Sequence, residues 1–203
     1  MTQLTRSLLI ASALALAAPW ALAAKADRDK PLVLVFDKPG EVDKVKQRAE
    51  FNGAILTQGT LELRAERIDV KETAEGYHQV YANGSSARQV TFRQARDNPG
   101  ERLEARADQI EYDTRSDTVR LIGNAEAKVM RGDQLVDLVS GAAINYDNRS
   151  ERFGIEPGAS APHPSGRGRV VFMPRSASAA EPAASAPALP LKASPGLTPR
   201  QPQ

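Results

Sequence analysis

The run Leu61-x-Leu63-x-Ala65-x-x-Ile68-x-Val70 alternates apolar and polar residues, slips by one position after Ala65, and resumes on the opposite parity. The same device returns as Leu103-x-Ala105-x-Ala107-x-x-Ile110-x-Tyr112. A period of two marks a strand with one buried face, because successive side chains point to opposite sides of a sheet. A one-residue slip would turn the apolar set toward water, so the chain must bend or bulge between Ala65 and Ile68 and again between Ala107 and Ile110. Used twice, the device predicts a repeated structural unit.

Further alternating segments surround these two. Val90 with Phe92, Val119 with Leu121, Ile144 with Tyr146 and Val170 with Phe172 each read as a strand with one apolar face. Leu32, Leu34 and Phe36 alternate with the equally apolar Val33 and Val35, which predicts a strand buried on both faces. Turn chemistry separates the segments. Asn52-Gly53 and Asn83-Gly84 tolerate positive φ and are expected to form tight hairpins. Asp97-Asn98-Pro99-Gly100, Arg115-Ser116-Asp117 and Asp147-Asn148-Arg149-Ser150 are polar loop tips, and Lys44 to Ala49 has the pattern of a helical turn. Nothing else supports a long helix, so the fold class is all-β.

The repeat extends further. Tyr112-Asp113-Thr114-Arg115-Ser116, followed by Val119 and Leu121, recurs as Tyr146-Asp147-Asn148-Arg149-Ser150, followed by Phe153 and Ile155. That offset is 34 residues, whereas Ile68 to Ile110 spans 42, with the surplus between Gly76 and Asn98. Units of this size bury their apolar faces against neighbouring copies. The product is a β-solenoid or a rolled, two-sheet jelly roll, with one continuous interior and two open ends.

Residues 1–23 carry a secretory layout: Arg6, an apolar run from Leu8 to Ala18, a Pro19–Trp20 break, and Ala21-Leu22-Ala23 as a small-x-small cleavage site. The apolar run is short of the roughly 20 residues that span a bilayer. Residues 176–203 are dominated by Ala, Pro and Ser and cannot bury enough apolar surface to offset ordering. Between them, residues 24–175 suit one domain.

Several chemistries are disfavoured. The chain has no cysteine, so neither disulfides nor thiolate metal sites are available. The net charge of +2 comes from interleaved acids and bases, without the basic stripe of a nucleic-acid footprint. No G-x-x-x-x-G-K-[S/T] loop occurs. His78 falls near a hairpin tip and His163 in a Pro/Gly/Ser-rich loop, neither in a ligand or triad setting. The acids of Asp108 with Glu111 and of Glu62 with Glu66 sit among Arg64, Arg67, Arg102 and Arg106 on polar parity, as on a solvated sheet face. No catalytic residue, metal or cofactor is therefore expected.

Ile55-Leu56-Thr57-Gln58-Gly59-Thr60-Leu61-x-Leu63-x-Ala65-x-x-Ile68, Leu121-Ile122-Gly123-Asn124-Ala125 and Ala107-x-x-Ile110-x-Tyr112 together resemble the LptA/OstA family of lipopolysaccharide export, over about Pro31 to Met173. Two departures concern local register: a Gly-Asn element of the family stands inverted as Asn52-Gly53, and extra residues lie between Gly132-Asp133 and Ile144. The resemblance implies a twisted, partly open β-jelly roll in the periplasm. It also implies a groove for lipid A acyl chains and end-to-end joining between an inner-membrane-anchored Lpt component and the outer-membrane translocon. The expected groove lining is Leu32, Leu34, Phe36, Ile55, Leu61, Leu63, Ile68, Val90, Phe92, Ile110, Tyr112, Leu121 and Tyr146.

Inward small residues, Ala65, Ala105, Ala107, Ala125, Ala127 and Gly141, would leave room between the sheets or let them stack tightly. Edge strands Leu32-Val33-Leu34-Val35-Phe36 and Val170-Val171-Phe172-Met173 are the expected contacts for partners and for head-to-tail self-association by β-augmentation. Against this lipopolysaccharide carrier stand a non-catalytic β-solenoid scaffold or glycan-binding module, for which aromatic platforms are few at 5% aromatic residues, and a hydrolase, for which no constellation is found. A membrane-anchored partner of the same pathway would share the fold but not the cleavage site at Ala23.

Overall fold

The computed structural model describes residues 27–174; the expected leader at 1–23 and the expected tail at 176–203 lie outside them. Twelve antiparallel strands form one hydrogen-bonded sheet: β1 (Val33–Phe36), β2 (Glu41–Asp43), β3 (Arg48–Gln58), β4 (Leu61–Glu72), β5 (His78–Asn83), β6 (Val90–Ala95), β7 (Glu101–Ala107), β8 (Gln109–Asp113), β9 (Thr118–Arg131), β10 (Gln134–Asp147), β11 (Arg152–Glu156) and β12 (Arg169–Phe172). The sheet is folded over on itself into two layers.

Strand register defines the layers. The first runs β1–β3–β4–β6–β7–β9–β10–β12, through pairs such as Leu34↔Leu56, Leu63↔Phe92, Phe92↔Ala105, Ala105↔Ala127 and Val139↔Val170. The second runs β2–β3–β4–β5–β8–β9–β10–β11, through Val70↔Val80, Ala82↔Ile110, Ile110↔Leu121 and Ile144↔Ile155. Strands β3, β4, β9 and β10 belong to both layers and turn a corner midway. This is a twisted, jelly-roll-like β architecture, and it decides between the two products left open by the repeats.

The parity slips are the corners. In β4 the inward set Leu61, Leu63 and Ala65 gives way at Glu66–Arg67 to Ile68 and Val70, and Asp108 separates β7 from β8 at the matching place. In β9 the corner is Gly123-Asn124, with φ of 75° and 45°, facing a register shift between Gly141 and Ala143 of β10. The Asp108 carboxylate accepts hydrogen bonds from Gln89 Nε2 at 3.0 Å and Asn124 Nδ2 at 2.9 Å, so it is held in place. A Cβ on Gly123 would stand 2.6 Å from that carboxylate in a backbone conformation that L residues rarely adopt. Gly123→Ala is therefore expected to lower the free energy of urea unfolding by about 1–3 kcal/mol. An unchanged midpoint would show that the corner yields without strain.

Two sequence readings are corrected. Asn52-Gly53 is not a hairpin but the corner inside β3, where Gly53 has φ 59° and the register steps from Asn52↔Arg67 to Ala54↔Ala65. The residues between Asp133 and Ile144 lie in the 14-residue strand β10, which crosses both layers and takes up a register shift between Leu135 and Asp137. Strand β1 is not buried on both faces: it has one neighbour, β3, and Val33 and Val35 are exposed. Its outer parity is apolar without being covered by this chain's own strands.

Candidate functional site

Between the layers lies a single apolar interior. From the first layer come Leu56, Leu61, Leu63, Val90, Phe92 and Leu103; from the second, Ile68, Val80, Ile110, Tyr112, Leu121, Ile144 and Tyr146. Seven strand spacings of about 4.8 Å give this interior a length on the order of 34 Å. Nine of the expected lining residues, Leu61, Leu63, Ile68, Val90, Phe92, Ile110, Tyr112, Leu121 and Tyr146, meet there, each no more than 3% exposed. A water-sized sphere scarcely reaches them, so the middle of the interior is close-packed, and the inward alanines serve close approach of the layers rather than open space.

The other four candidates fall elsewhere. Leu32 and Leu34 are half-buried at the end of the stack, and Phe36 is 47% exposed with its ring 4.7 Å from that of Phe51. Ile55 is a correction: it alternates with the buried Ala54 and Leu56 and therefore has the outward parity, beside Val35. The opposite end shows the same lack of cover. Phe153 and Ile155 are half-buried on β11, and Val170 and Phe172 of β12 are 43% and 77% exposed. The apolar interior thus runs to both ends of the stack without a cap among the described residues.

One long side is closed by the corners. Along the other, no strand among the described residues joins the lips of the two layers; side chains and residues 27–30 connect them. Three turns of the second lip are alike, each with an Asp Oδ1 that accepts two backbone N–H groups: Asp43 from Val45 and Lys46, Asp113 from Arg115 and Ser116, Asp147 from Arg149 and Ser150. Each turn places a non-glycine residue at positive φ four positions after the Asp: Gln47, Asp117 and Glu151. The Asp113 and Asp147 copies are visible in the 34-residue repeat. The Asp43 copy replaces the expected helical turn and escaped sequence reading because its following residues are Lys-Val-Lys-Gln.

Sequence reading also missed the polar residues of the lips. Gln58, Gln94, Glu101, Asp117 and Asn148 are all buried. The Tyr112 hydroxyl donates to Gln58 Oε1 at 3.0 Å across the lips, and burial raises the Tyr112 pKa well above the usual phenol range. Burial likewise pushes Tyr146 up to about 12. The only advance signal was polar residues extending an inward parity, as Gln94 does after Val90 and Phe92.

Toward the far end, Arg96 bridges the lips, reaching Glu101 at 3.0 Å and Glu151 at 2.7 Å, while Arg131 meets Glu101 at 2.6 Å. Burial pushes the Glu101 carboxyl up, but hydrogen bonds from Arg131 and Asn98 and the charge of Arg96 outweigh it and hold the pKa below the ordinary 4.5. A depressed folded pKa means this stabilisation is present above the usual carboxylate range and lost as pH falls through the folded value. Glu101→Gln should cost about 2 kcal/mol at pH 7, and its deficit relative to the parent protein should shrink as urea titrations move into acid. A deficit independent of pH would remove Glu101 from the acid response.

The outer faces carry charge. Arg64 pairs with Glu62, Arg67 with Glu50 and Asp69, Arg102 with Glu104, and Arg106 with Glu126. These are the ion pairs of a solvated sheet, worth little individually. Glu66 is engaged by Lys38, Glu111 accepts from Gln109, and His163 bonds Ser165 in the loop between β11 and β12. Among the described residues no group of His, Asp and Glu could hold a metal ion.

Residues 38–152, more than half of the chain, match the family described as LptA/(LptD N-terminal domain) LPS transport protein. The chain belongs to this family. It is similar to the "Lipopolysaccharide export system protein LptA" of Haemophilus influenzae, 27% identical over 153 residues that cover 75% of this chain and 85% of the relative. The Escherichia coli K12 protein of the same description is 31% identical over 150 residues, 68% of this chain and 75% of the relative. The crystal structure of LptH from Pseudomonas aeruginosa, described as the LptA-homologous periplasmic component of the lipopolysaccharide transport device, superposes with a TM-score of 0.63 at 22% identity. It covers 73% of this chain and 99% of that one, and shows the shared fold. In this LptA-family member the Gly-Asn element of β9 marks a corner, and Asn52-Gly53 in β3 does the same work in inverted order.

Proposed function

We propose that this protein is a periplasmic lipopolysaccharide carrier and bridge. It shelters acyl chains between its two layers and passes them from an inner-membrane export complex to an outer-membrane translocon. The observation that supports this is an apolar interior that runs the whole length of the stack and, among the described residues, is uncapped at both ends, in a member of the LptA family. No catalytic group is assigned a role, because the task is burial and hand-over.

The energetics favour a bridge over a shuttle. Burying an acyl chain is worth about 0.8 kcal/mol per CH₂, so a chain of about a dozen carbons is held by on the order of 10 kcal/mol. Release through water would be too slow, and transfer must run from one apolar interior into the next. The free edges suit this. Strands β1 and β2 end one side of the stack, and β12 and β11 the other, one in each layer. Joining β1 of one protomer to β12 of the next, and β2 to β11, continues both layers and makes one interior of two. Such a head-to-tail joint repeats as a filament, and the same edges serve the membrane-anchored partner and the translocon.

A photo-crosslinking residue at Phe92 or Leu34 should capture added lipopolysaccharide, and one at the outward Arg64 should not. Equal capture at all three positions, or none, counts against acyl chains lying between the layers.

A further inference from the structure

Residues 27–30, Asp-Arg-Asp-Lys, lie across the lips just before β1 and contribute no apolar side chain. Their attachments are polar. Asp27 accepts from Thr60 N at 2.9 Å, Thr60 Oγ1 at 2.5 Å and Gln94 Nε2 at 3.2 Å, all on the first lip. Gln58 Nε2 donates to the carbonyls of Arg28 and Lys30 at 3.2 and 3.1 Å. Arg28 Nε stands 3.5 Å from Asp117 on the second lip, whose carboxylate also accepts from Asn148 Nδ2 at 3.0 Å. This segment therefore ties one lip to the other where no strand does.

The lips it ties are an amphiphile's profile in section. Deepest are Leu63, Phe92, Ile110 and Leu121; above them stand the buried amides and acids Gln58, Gln94, Asp117 and Asn148. Outermost is a cleft of ≈ 440 Å³ with Arg28, Arg115, Arg149 and Tyr77 in its walls. Polar side chains this deep are costly unless partnered, and residues 27–30 partner Gln58, Gln94 and Asp117. Gln94 Oε1 is buried without a hydrogen-bond partner, so the closed arrangement leaves an acceptor unused. A segment held by hydrogen bonds and one ion pair, with no apolar anchor of its own, can leave while the core stays folded. Its departure would bare polar groups that suit a headgroup, directly above an interior that suits its acyl chains.

We infer that the seam between the lips is a lateral loading gate for the acyl chains of a sugar-headed lipid, with residues 27–30 as its displaceable plug. This rests on the carrier reading and adds to it: chains enter sideways, past Gln58 and Gln94, rather than only through the ends. Plug and lipid compete for the same lip groups.

The chain has no cysteine, so Asp27→Cys with Thr60→Cys would place a single reversible staple across plug and lip. With fluorescent lipopolysaccharide as probe, the reduced protein, which lacks the Asp27 hydrogen bonds, should load at least as fast as the parent, and the oxidised protein at least about tenfold more slowly than the reduced one. Equal loading by a fully stapled sample overturns the gate. If neither the parent nor the reduced protein takes up the lipid, the carrier reading fails by itself, and the gate is judged by access to a Gln94→Cys thiol. Asp27→Ala should raise its rate of labelling by a water-soluble maleimide about tenfold without moving the global unfolding midpoint; an unchanged rate overturns the plug.

Discussion

Phe172→Asp is expected to weaken the proposed end-to-end self-association by about two to three orders of magnitude while leaving the protomer's own stability within about 0.5 kcal/mol. The separation of the two effects follows from exposure. Phe172 is 77% exposed, so the protomer gains little from it. It stands on the inward parity of β12, opposite Asp137, which in turn pairs with Val129 of the interior. A joint that continues the first layer would bury the ring against the next protomer's Leu34 and Phe36. Replacing an aromatic worth about 1.5–3 kcal/mol when buried with an unpaired carboxylate forfeits that gain and adds a desolvation cost. Sedimentation velocity across a concentration series reads the association, and urea unfolding of dilute protein reads the protomer. Unaltered association would mean that β12 is not at the joint.

Phe92→Ala has the opposite character. Phe92 is 2% exposed on β6, between Leu63 of β4 and Ala105 of β7, in the middle of the first layer. Its small neighbour Ala105 offers little to close the gap. The loss should be about 3–5 kcal/mol, the range for removing a buried aromatic ring from a packed interior. A loss below about 1 kcal/mol would mean that the layers close without this ring. The carrier reading adds a second expectation. A cavity beside the acyl path should be refilled by lipid, so lipopolysaccharide should raise the melting temperature of the variant more than that of the parent protein. An equal increment in both would separate the ring from the lipid.

The two results bear on opposite parts of the same interior. Its middle is closed on itself, and its ends expose what the middle buries. That contrast accounts for how much could be read in advance. Inward residues such as Leu63, Ile68, Ile110 and Leu121 were legible because a period of two assigns each residue a side without knowledge of its neighbour. Ile55 was misassigned because Ala54-Ile55-Leu56 is apolar throughout, and parity cannot choose a face when both neighbours are apolar; pairing with Leu63 through Leu56 made the choice. Leu32 to Phe36 failed for the same reason, since an apolar edge strand and a doubly buried one have the same composition. The lip residues were harder still. Gln58, Gln94 and Asp117 are far apart in sequence, and only the lips and residues 27–30 bring them together.

The all-β class, the repeated unit and the places where strands must bend follow from local sequence. Alternation and turn chemistry are local and hold whatever the rest of the chain does. The parity slips after Ala65 and Ala107 required a bend but not its destination. The tertiary structure alone shows that the bends align, at Gly53, Glu66, Gly123-Asn124 and the register shift between Gly141 and Ala143, so that β3, β4, β9 and β10 serve two layers. It alone decided that the opposite side is a seam of side chains rather than a continuous sheet. Which edges stay free and which polar groups meet across a seam depend on pairings between residues distant in the chain, and no local pattern carries that information.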